Sequence, residues 1–265
     1  MKKYGFIGAG NMGYAMLKGL TKNGKKDDVI FTDVSKERIQ WIKNQLEIES
    51  CDNNKDLVNN TKYIILAIKP QYYSDVLDEI KEVISINHII ISIAPGISID
   101  SIKNQLRNDV KIVRAMPNTP ALIGEGMSAV SFSDDLFSEE ERKDVIKFFS
   151  SFGAVEEIEE KLMNAVVPIS GSSPAYVYMM IEAMADAGVL AGLSRKMAYT
   201  LAAQSVLGSA KMVLETGIHP GELKDAVCSP GGTTIEAVAI LEKAGFRSSI
   251  IEAMGACFEK TKKMS

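Results

Sequence analysis

Tyr4-Gly5-Phe6-Ile7-Gly8-Ala9-Gly10-Asn11-Met12-Gly13 is the stretch that decides the fold of this chain. An apolar run ends in the spacing G-x-G-x-x-G, and a helical pattern of apolar residues follows at once. This order of strand, turn and helix is typical of a βαβ unit that binds a dinucleotide. Gly8 permits the tight turn, Gly10 lets the backbone approach a pyrophosphate, and Gly13 lets the helix pack closely. The helix N-terminus then presents N–H groups and a positive dipole end to the phosphates.

Strand-like and helix-like segments alternate as far as about residue 160. Strands are predicted at residues 29–32, 63–68, 88–93, 110–115 and 127–132, and helices at 36–46, 72–83, 98–105 and 139–149. Such alternation predicts an α/β fold with a doubly wound, parallel Rossmann sheet and right-handed crossovers. Residues 1–160 are therefore predicted to form a dinucleotide-binding domain.

The composition changes after residue 160, where alanine, methionine and leucine rise and β-branched runs disappear. Long, almost wholly buried helices are predicted at residues 163–192 and 195–217, and two more helices at about 233–243 and 246–262. Helices that are apolar on several faces must bury against something large. We therefore expect residues 161–265 to form an all-α domain that makes a homodimer, with a larger assembly such as a decamer as a further expectation. A monomeric helical cap is the alternative.

Composition argues against several classes of function. The net charge of −4 gives no electrostatic case for nucleic-acid binding, and no apolar run reaches membrane-spanning length. Three scattered cysteines without a CxxC pair suit a reducing cytoplasm. With only His88 and His219 in the chain, a metal site or a histidine triad is hard to build, and no metal is expected.

The end of the second strand bears on the choice between NAD and NADP. Asp33 lies about 20 residues after the glycine turn, where a carboxylate accepts from ribose hydroxyls and repels a 2′-phosphate. Ser35, Lys36 and Arg38 follow closely, and one of them could instead hold a 2′-phosphate. Lys36 and Arg38 could also lie on a solvated helix face. The choice of cofactor therefore stays open at this point.

Three loops are predicted at the carboxyl edge of the sheet, where ligands of such folds bind. The first is Ala67-Ile68-Lys69-Pro70, in which Lys69 points either to the nicotinamide or to solvent. The second holds Ala94 and Pro95 among small residues that leave room for a flat ring. The third, residues 114–120, has two prolines that make it rigid, which suits either a structural or a catalytic role for Asn118 and Thr119.

Another dense motif lies between helical segments at Ser229-Pro230-Gly231-Gly232-Thr233-Thr234. Backbone N–H groups and hydroxyls at a helix start can bind an anion, and a substrate carboxylate is a natural guest. The same residues could be no more than a helix N-cap with Thr233 as the capping residue. A third turn, Ser170-Gly171-Ser172-Ser173, either lines the same cleft or simply starts a helix.

Taken together, these motifs resemble the pyrroline-5-carboxylate reductase family over essentially the whole chain. The residues that carry the resemblance are 8–12, 67–71, 114–120, 170–176, 219–225 and 229–234. The resemblance implies reduction of the C=N bond of 1-pyrroline-5-carboxylate to L-proline, the last step of proline synthesis, with NADPH or NADH as hydride donor. It also implies a dimer through the helical domain, commonly assembled into decamers, with a substrate pocket shared by both partners.

The resemblance assigns roles to individual residues. Ser229, Gly231, Gly232 and Thr233 are expected to bind the substrate carboxylate, the catalytic Thr234 hydroxyl to reach the ring nitrogen, and Glu160 to lie near the substrate. Residues expected to line the cofactor are Ala9, Asn11, Met12, Asn54 and Ala67, Ile68, Lys69 and Pro70. Two departures from the family pattern are Asp33, where smaller or basic residues are frequent, and Pro95, where alanine is frequent.

Hydride transfer to an imine needs chiefly proximity, and no histidine lies in a motif that would protonate the nitrogen. We expect either a preformed iminium or a proton from water beside Thr234. The runner-up functions are another imine reductase and a 3-hydroxyacid dehydrogenase-like oxidoreductase. The hydroxyacid enzymes place a catalytic lysine early in the first long helix of the second domain, where this chain has Pro174-Ala175-Tyr176-Val177.

Overall fold

The computed structural model describes residues 1–263 as two compact units. The first comprises Met1–Ser172 with the end of the last helix from Cys257 onward, and the second comprises Ser173–Ala256. The first unit thus continues past residue 160, and the assignment of functional domains on either side of that residue stays a prediction.

An eight-stranded sheet forms the centre of the first unit. Its strands are β1 (Lys2–Ile7), β2 (Val29–Thr32), β3 (Glu49–Ser50), β4 (Thr61–Leu66), β5 (Ile89–Ser92), β6 (Lys111–Met116), β7 (Gly126–Phe132) and β8 (Gly153–Glu157). The spatial order is β3-β2-β1-β4-β5-β6-β7-β8. The predicted fold class, a doubly wound Rossmann sheet followed by a helical region, is confirmed.

One pair of strands departs from the parallel arrangement: β7 runs antiparallel to β6, whereas β8 runs parallel to β7. The connection from β6 to β7, residues 117–125, is too short for a crossover, which takes a dozen or more residues. The sequence prediction missed β8, an edge strand with two glutamates and no buried residue.

Helices cover both faces of this sheet. They are α1 (Asn11–Lys22), α2 (Lys36–Leu46), α3 (Asn54–Asn59), α4 (Tyr73–Ile80), α5 (Ile99–Gln105), α6 (Glu139–Phe149) and α7 (Met163–Val166). Alternate residues of β4 enter two different cores, with Tyr63 and Ile65 on one face and Ile64 and Leu66 on the other. This double burial explains why the strand reads as a continuous apolar run.

The remaining helices are α8 (Ser173–Leu190), α9 (Arg195–Thr216), α10 (Pro220–Val227), α11 (Thr233–Lys243) and α12 (Phe246–Lys262). The prediction of one helix over residues 163–192 was wrong, because a π-helical segment, Val167–Gly171, separates α7 from α8. Its signature is the bond from the Ser172 N–H to the Val167 carbonyl at 2.8 Å. The predicted bounds of α2, α6, α11, α12 and β2 are confirmed.

The helices of the second unit expose much of their apolar surface. In α8 to α11, which lie wholly within the described chain, the buried residues are Ala185, Ala198 and Ala202. Leu190 is 90% exposed and Leu214 is 83% exposed. The expectation of almost wholly buried helices therefore does not hold within a single chain. Among residues 1–263, every helix falls short of the length and hydrophobicity that a bilayer crossing requires.

Candidate active site

The carboxyl ends of four parallel strands lie side by side at one edge of the sheet. Thr32 of β2 is in register with Ile7 of β1, and Ile7 is in register with Leu66 of β4. Leu66 is in turn in register with Ser92 of β5. The segments that leave this edge contain most of the predicted cofactor residues, which is where doubly wound folds bind their ligands.

The glycine turn after β1 has the features that a dinucleotide requires. Gly8 adopts a φ of +89° and its N–H donates to the Thr32 carbonyl at 2.9 Å. A Cβ on Gly8 would lie 2.7 Å from the Ala67 carbonyl oxygen, and one on Gly13 would lie 2.7 Å from the Gly8 carbonyl oxygen. A Cβ on Gly10 would meet no described atom within 4 Å, its chain neighbours aside. Close packing therefore leaves no room for a side chain at Gly8 or Gly13, whereas the space beside Gly10 is open.

Helix α1 begins at Asn11, directly after this open space, and Gly10 is its N-cap. Because glycine has no side chain to cap the helix, the N–H groups of the first turn are available to an outside acceptor. Gly10 and Asn11 are exposed, and Met12 is half-buried. The turn thus fits the pyrophosphate of a dinucleotide, and individual contacts by residues 8–13 stay predictions.

Asp33 is bound to the glycine turn. One carboxylate oxygen accepts from the Ala9 N–H at 2.8 Å, and the other accepts from the Ser35 N–H at 2.9 Å. Ser35 is the N-cap of α2, with its hydroxyl accepting from the Arg38 N–H at 3.1 Å. The acidic residue predicted for the ribose thus lies beside Ala9.

Arg38 also binds the glycine turn. Its Nε donates to the Ala9 carbonyl at 2.8 Å, and its Nη2 donates to the Gly10 carbonyl at 3.2 Å. The guanidinium lies over the rings of Trp41 and Tyr14, at 4.5 Å and 5.4 Å from their centroids. The alternative of a solvated helix face is therefore wrong for Arg38. The one signal for this contact in the sequence is that Arg38 lies one helical turn after Ser35.

The loop after β4 packs under the glycine turn. The Ala67 N–H donates to the Ile7 carbonyl at 2.9 Å, and the Ile68 side chain borders Gly8. The predicted strand at residues 63–68 is too long, since β4 ends at Leu66 and leaves both residues in the loop. Lys69 is exposed, and Pro70 starts a short 3₁₀ turn.

Three other predicted cofactor residues have varied settings. After β5, Ala94 is buried and Pro95 is half-buried. At the start of α3, the Asn54 side-chain amide donates to the Glu79 carboxylate at 2.6 Å.

The sequence analysis missed Tyr73, whose hydroxyl binds the Leu66 carbonyl and the Ser92 hydroxyl, each at 3.0 Å. Tyr73 thereby ties together the ends of β4 and β5.

Glu160 lies in a polar cluster around a buried arginine. Its Oε1 accepts from Arg114 Nη1 at 3.1 Å and from the Ile99 N–H at 2.8 Å. Arg114 is 5% exposed and also donates to Asn164 at 2.9 Å. These contacts fix the Glu160 carboxylate beside the start of α5. Its predicted role near the substrate stays a prediction.

Asn118 connects three segments of the first unit. Its amide nitrogen donates to the Ser170 carbonyl at 3.0 Å, and its amide oxygen accepts from the Met127 N–H at 2.8 Å. The side chain is 8% exposed. Because both ends of the amide are bound to backbone, the structural role is the better supported of the two alternatives.

The turn at Ser229–Thr234 lies in the second unit. The Gly232 N–H donates to the Ser229 carbonyl at 3.0 Å, and Gly231 has a φ of +66°, the type II arrangement that favours Pro230 before a glycine. Helix α11 starts at Thr233 with Gly232 as its N-cap. The alternative that Thr233 caps the helix is therefore wrong. The helix start carries no capping side chain, Thr233 is exposed, and Thr234 is half-buried.

Each histidine accepts a hydrogen bond from backbone. His88 Nδ1 accepts from the Ser85 N–H at 2.9 Å, and burial lowers the pKa of this imidazole. His219 Nδ1 accepts from the Gly221 N–H at 3.1 Å as the N-cap of α10. Within residues 1–263, no group of His, Cys, Asp and Glu side chains has the arrangement of a metal site.

Comparison with known proteins gives consistent matches. The family described as "Pyrroline-5-carboxylate reductase dimerisation" matches residues 160–264, and "NADP oxidoreductase coenzyme F420-dependent" matches residues 3–96. The chain is 48% identical to the pyrroline-5-carboxylate reductase of Escherichia coli (strain K12), covering 100% of this chain and 98% of that protein. It is 41% identical to that of Methanosarcina acetivorans, covering 99% and 98%.

Solved structures give the same answer. The NADP-bound pyrroline carboxylate reductase of Plasmodium falciparum is 35% identical, with a TM-score of 0.90 over 99% of this chain and 98% of that one. The Coxiella burnetii pyrroline-5-carboxylate reductase is 30% identical, with a TM-score of 0.91 over 100% and 98%. By its sequence over its full length and by its fold, this chain belongs to the pyrroline-5-carboxylate reductase family.

Proposed function

We propose that this chain reduces the C=N bond of 1-pyrroline-5-carboxylate to L-proline with NADPH or NADH, the final step of proline biosynthesis. The observation that carries the proposal is 48% identity to a pyrroline-5-carboxylate reductase with all of this chain aligned. The glycine turn at the sheet edge and the anion-suited start of α11 supply the two binding functions that the reaction needs.

The bound dinucleotide supplies the hydride. Residues of this chain hold it: the first-turn N–H groups of α1 face the pyrophosphate, and the sheet-edge residues from Ala67 to Pro70 and Ala94 to Pro95 border the nicotinamide half. Asn54 and Ser35 are the remaining proposed contacts. A fixed edge of this kind serves the reaction by holding the reacting groups at near-contact distance.

The start of α11 binds the substrate carboxylate in this proposal. Ser229 and Thr233 offer hydroxyls, and the first turn of the helix offers backbone N–H groups, at an N-terminus that no side chain caps. Gly231 and Gly232 lie between them, with the Gly232 N–H bound to the Ser229 carbonyl. An N-terminus of this kind favours an anion through its dipole and its unpaired donors. The Thr234 hydroxyl, one residue further, addresses the ring nitrogen, and Glu160 lies near the substrate.

The proton on the imine nitrogen comes from water beside Thr234 or arrives with a preformed iminium. Both histidines bind backbone N–H groups through Nδ1, which supports a mechanism without a histidine acid. The first long helix of the second unit, α8, contains no lysine. This favours imine reduction over the hydroxyacid dehydrogenase chemistry that uses a lysine at that place.

We propose further that the chain works as a homodimer through its helical unit, with dimers assembled into a decamer, and that it works in the cytoplasm. The match of residues 160–264 to a dimerisation family supports oligomerisation. The exposed apolar residues of α8 and α9, such as Leu190 and Leu214, supply a surface that a second copy would cover. Cys51, Cys228 and Cys257 are all unpaired, as a reducing compartment requires.

The direct test is an assay of purified protein with NADH or NADPH in the presence of 1-pyrroline-5-carboxylate. We expect cofactor oxidation only when the imine is added, with L-proline as the product by chromatography. A 3-hydroxy acid with NAD⁺ or NADP⁺ serves as the contrasting substrate and should give no reduction. The proposal fails if the imine is not consumed or if the hydroxy acid is the better substrate.

A further inference from the structure

The Asp33 carboxylate has a fixed position at the mouth of the glycine turn. Its two oxygens accept from the Ala9 N–H at 2.8 Å and from the Ser35 N–H at 2.9 Å. Rotation of the side chain would break both bonds, so the negative charge cannot move away from an incoming ligand without cost. Each carboxylate oxygen still has acceptor capacity, because it has about two lone pairs and uses one here.

A fixed carboxylate at this place discriminates between the two nucleotides. At the end of the second strand of such a fold, an acidic residue accepts from the hydroxyls of the adenosine ribose. A 2′-phosphate on the same ribose would lie close to the negative Asp33 carboxylate. The repulsion between two such charges is stronger near a protein surface than in bulk water, because the effective dielectric constant is lower. The geometry of Asp33 therefore favours the nucleotide without the phosphate.

One of the two cations that follow Asp33, Arg38, is already engaged by the glycine turn. Arg38 uses its Nε–Nη2 edge on the Ala9 and Gly10 carbonyls, at 2.8 Å and 3.2 Å. That edge is one of those with which an arginine makes paired bonds to a phosphate. The guanidinium also lies 4.5 Å from the Trp41 ring centroid, which further holds it against the turn. Lys36 is exposed on the first turn of α2.

We infer that Asp33 gives this chain a preference for NADH, and that Arg38 is a positioning residue of the glycine turn and not a phosphate ligand. The inference deepens the proposed function and rests on it only in requiring a nicotinamide dinucleotide. It does not depend on the imine substrate.

The test measures binding without any substrate. Wild-type protein is titrated with NAD⁺, NADP⁺, NADH and NADPH by calorimetry and by the fluorescence of Trp41, the only tryptophan in the chain. We expect the non-phosphorylated forms to bind at least about tenfold more tightly. Asp33→Asn should reduce that ratio about tenfold, mainly by tighter binding of the phosphorylated forms. Glu37→Gln removes a charge from an exposed neighbour and should leave the ratio unchanged.

Arg38→Ala tests the second half of the inference. Loss of a positioning residue should weaken both nucleotides by similar factors, within about threefold of each other, because the glycine turn serves both. The ratio of the two affinities cancels any general loosening of the turn, so a destabilised variant still gives an answer. Selective loss of the phosphorylated forms would make Arg38 a phosphate ligand and overturn the assignment.

Equal or tighter binding of NADP⁺ by the wild type would overturn the preference, as would an unchanged ratio in Asp33→Asn. Failure of the proposed function would look different. In that case the nucleotides would still bind with the expected ratio, while 1-pyrroline-5-carboxylate would not be reduced.

Discussion

The glycine turn and the Ser229–Thr234 turn both begin helices without a capping side chain, yet their surroundings differ. The glycine turn is held by Asp33, Arg38 and the Ala67 loop, all within the first unit. The Ser229–Thr234 turn belongs to a unit whose helices leave residues such as Leu214 exposed. The difference teaches that contacts within one chain suffice to shape the glycine turn, whereas the helices of the second unit leave apolar surface uncovered within a single chain.

The largest effect is expected from a charge on the exposed apolar surface of the helical unit. Leu214→Asp should dissociate the assembly and remove almost all activity, because a buried carboxylate without a partner costs several kcal/mol in an apolar interface. Nucleotide binding should remain within about threefold of wild type, since the glycine turn is complete within the chain. Sedimentation and calorimetry measure the two properties separately.

Leu136→Asp is the matched control, because Leu136 is 93% exposed and lies in the first unit. It should change neither mass nor activity. An assembly that survives Leu214→Asp would contradict the view that this part of α9 is covered by a second copy.

A smaller effect is expected from the proposed catalytic hydroxyl. Thr234→Ala should lower kcat about 10–1000-fold, the scale of one lost transition-state hydrogen bond, while cofactor affinity stays unchanged. Thr234→Ser keeps the hydroxyl and should restore most of the turnover. Steady-state kinetics with both variants measures this difference. Unchanged turnover in Thr234→Ala would remove the residue from the mechanism and leave the start of α11 with carboxylate binding alone.

Much of the fold could be predicted because its signals are local. Helix α2 begins after Ser35, and helix α6 begins after a capping box formed by Ser138 and Glu141. The glycine turn is equally local, since its spacing and its flanking strand lie within a few residues. Periodicity and caps of this kind need no knowledge of distant contacts.

The missed features depend on residues far apart in the chain. Arg114 and its partner Glu160 are separated by 46 positions, and Arg38 and Ala9 by 29. Strand β8 reads Gly153-Ala154-Val155-Glu156-Glu157, in which apolar and polar residues do not alternate, so the sequence carries no period-2 signal there. The residues at the start of α11 predicted an anion site by themselves, with a helix N-cap as the alternative. The proposed role of Thr234 came from the family resemblance, because a helix N-terminus alone does not specify a substrate.

The stability of the first unit should depend on pH through Glu141, whose partners all lie within that unit. Burial alone would raise the pKa of the Glu141 carboxyl, but hydrogen bonds from Lys111, the Ser138 N–H and Lys62 outweigh it and lower the pKa from 4.5 to about 2. Because the folded pKa lies below the unfolded one, the stabilisation is fully present above about pH 4.5 and is lost as pH falls toward 2. Its upper limit is about 3 kcal/mol.

Urea unfolding followed by circular dichroism between pH 2 and 7 measures this loss. Glu141→Gln should lower stability at pH 7, because the Glu141 side chain is only 9% exposed and its ion pairs are lost. It should also flatten the acid dependence, because glutamine cannot ionise. Glu139→Gln, on the same helix with a side chain 92% exposed, is the control and should keep the wild-type slope. Equal slopes in the two variants would contradict the assignment to Glu141.

The smallest effects are expected from two glycines of one turn, and they separate packing from binding. Gly13→Ala places a Cβ 2.7 Å from the Gly8 carbonyl oxygen and should cost about 1–2 kcal/mol of stability, because backbone must move. Gly10→Ala places its Cβ in open space and should cost less than about 1 kcal/mol, yet weaken nucleotide binding about tenfold, because the methyl group obstructs the pyrophosphate. Thermal unfolding and calorimetry measure the two quantities. If Gly10→Ala bound the nucleotide as tightly as wild type, the phosphates would not lie in the open space beside Gly10. The proposal that the glycine turn binds the pyrophosphate would then be wrong.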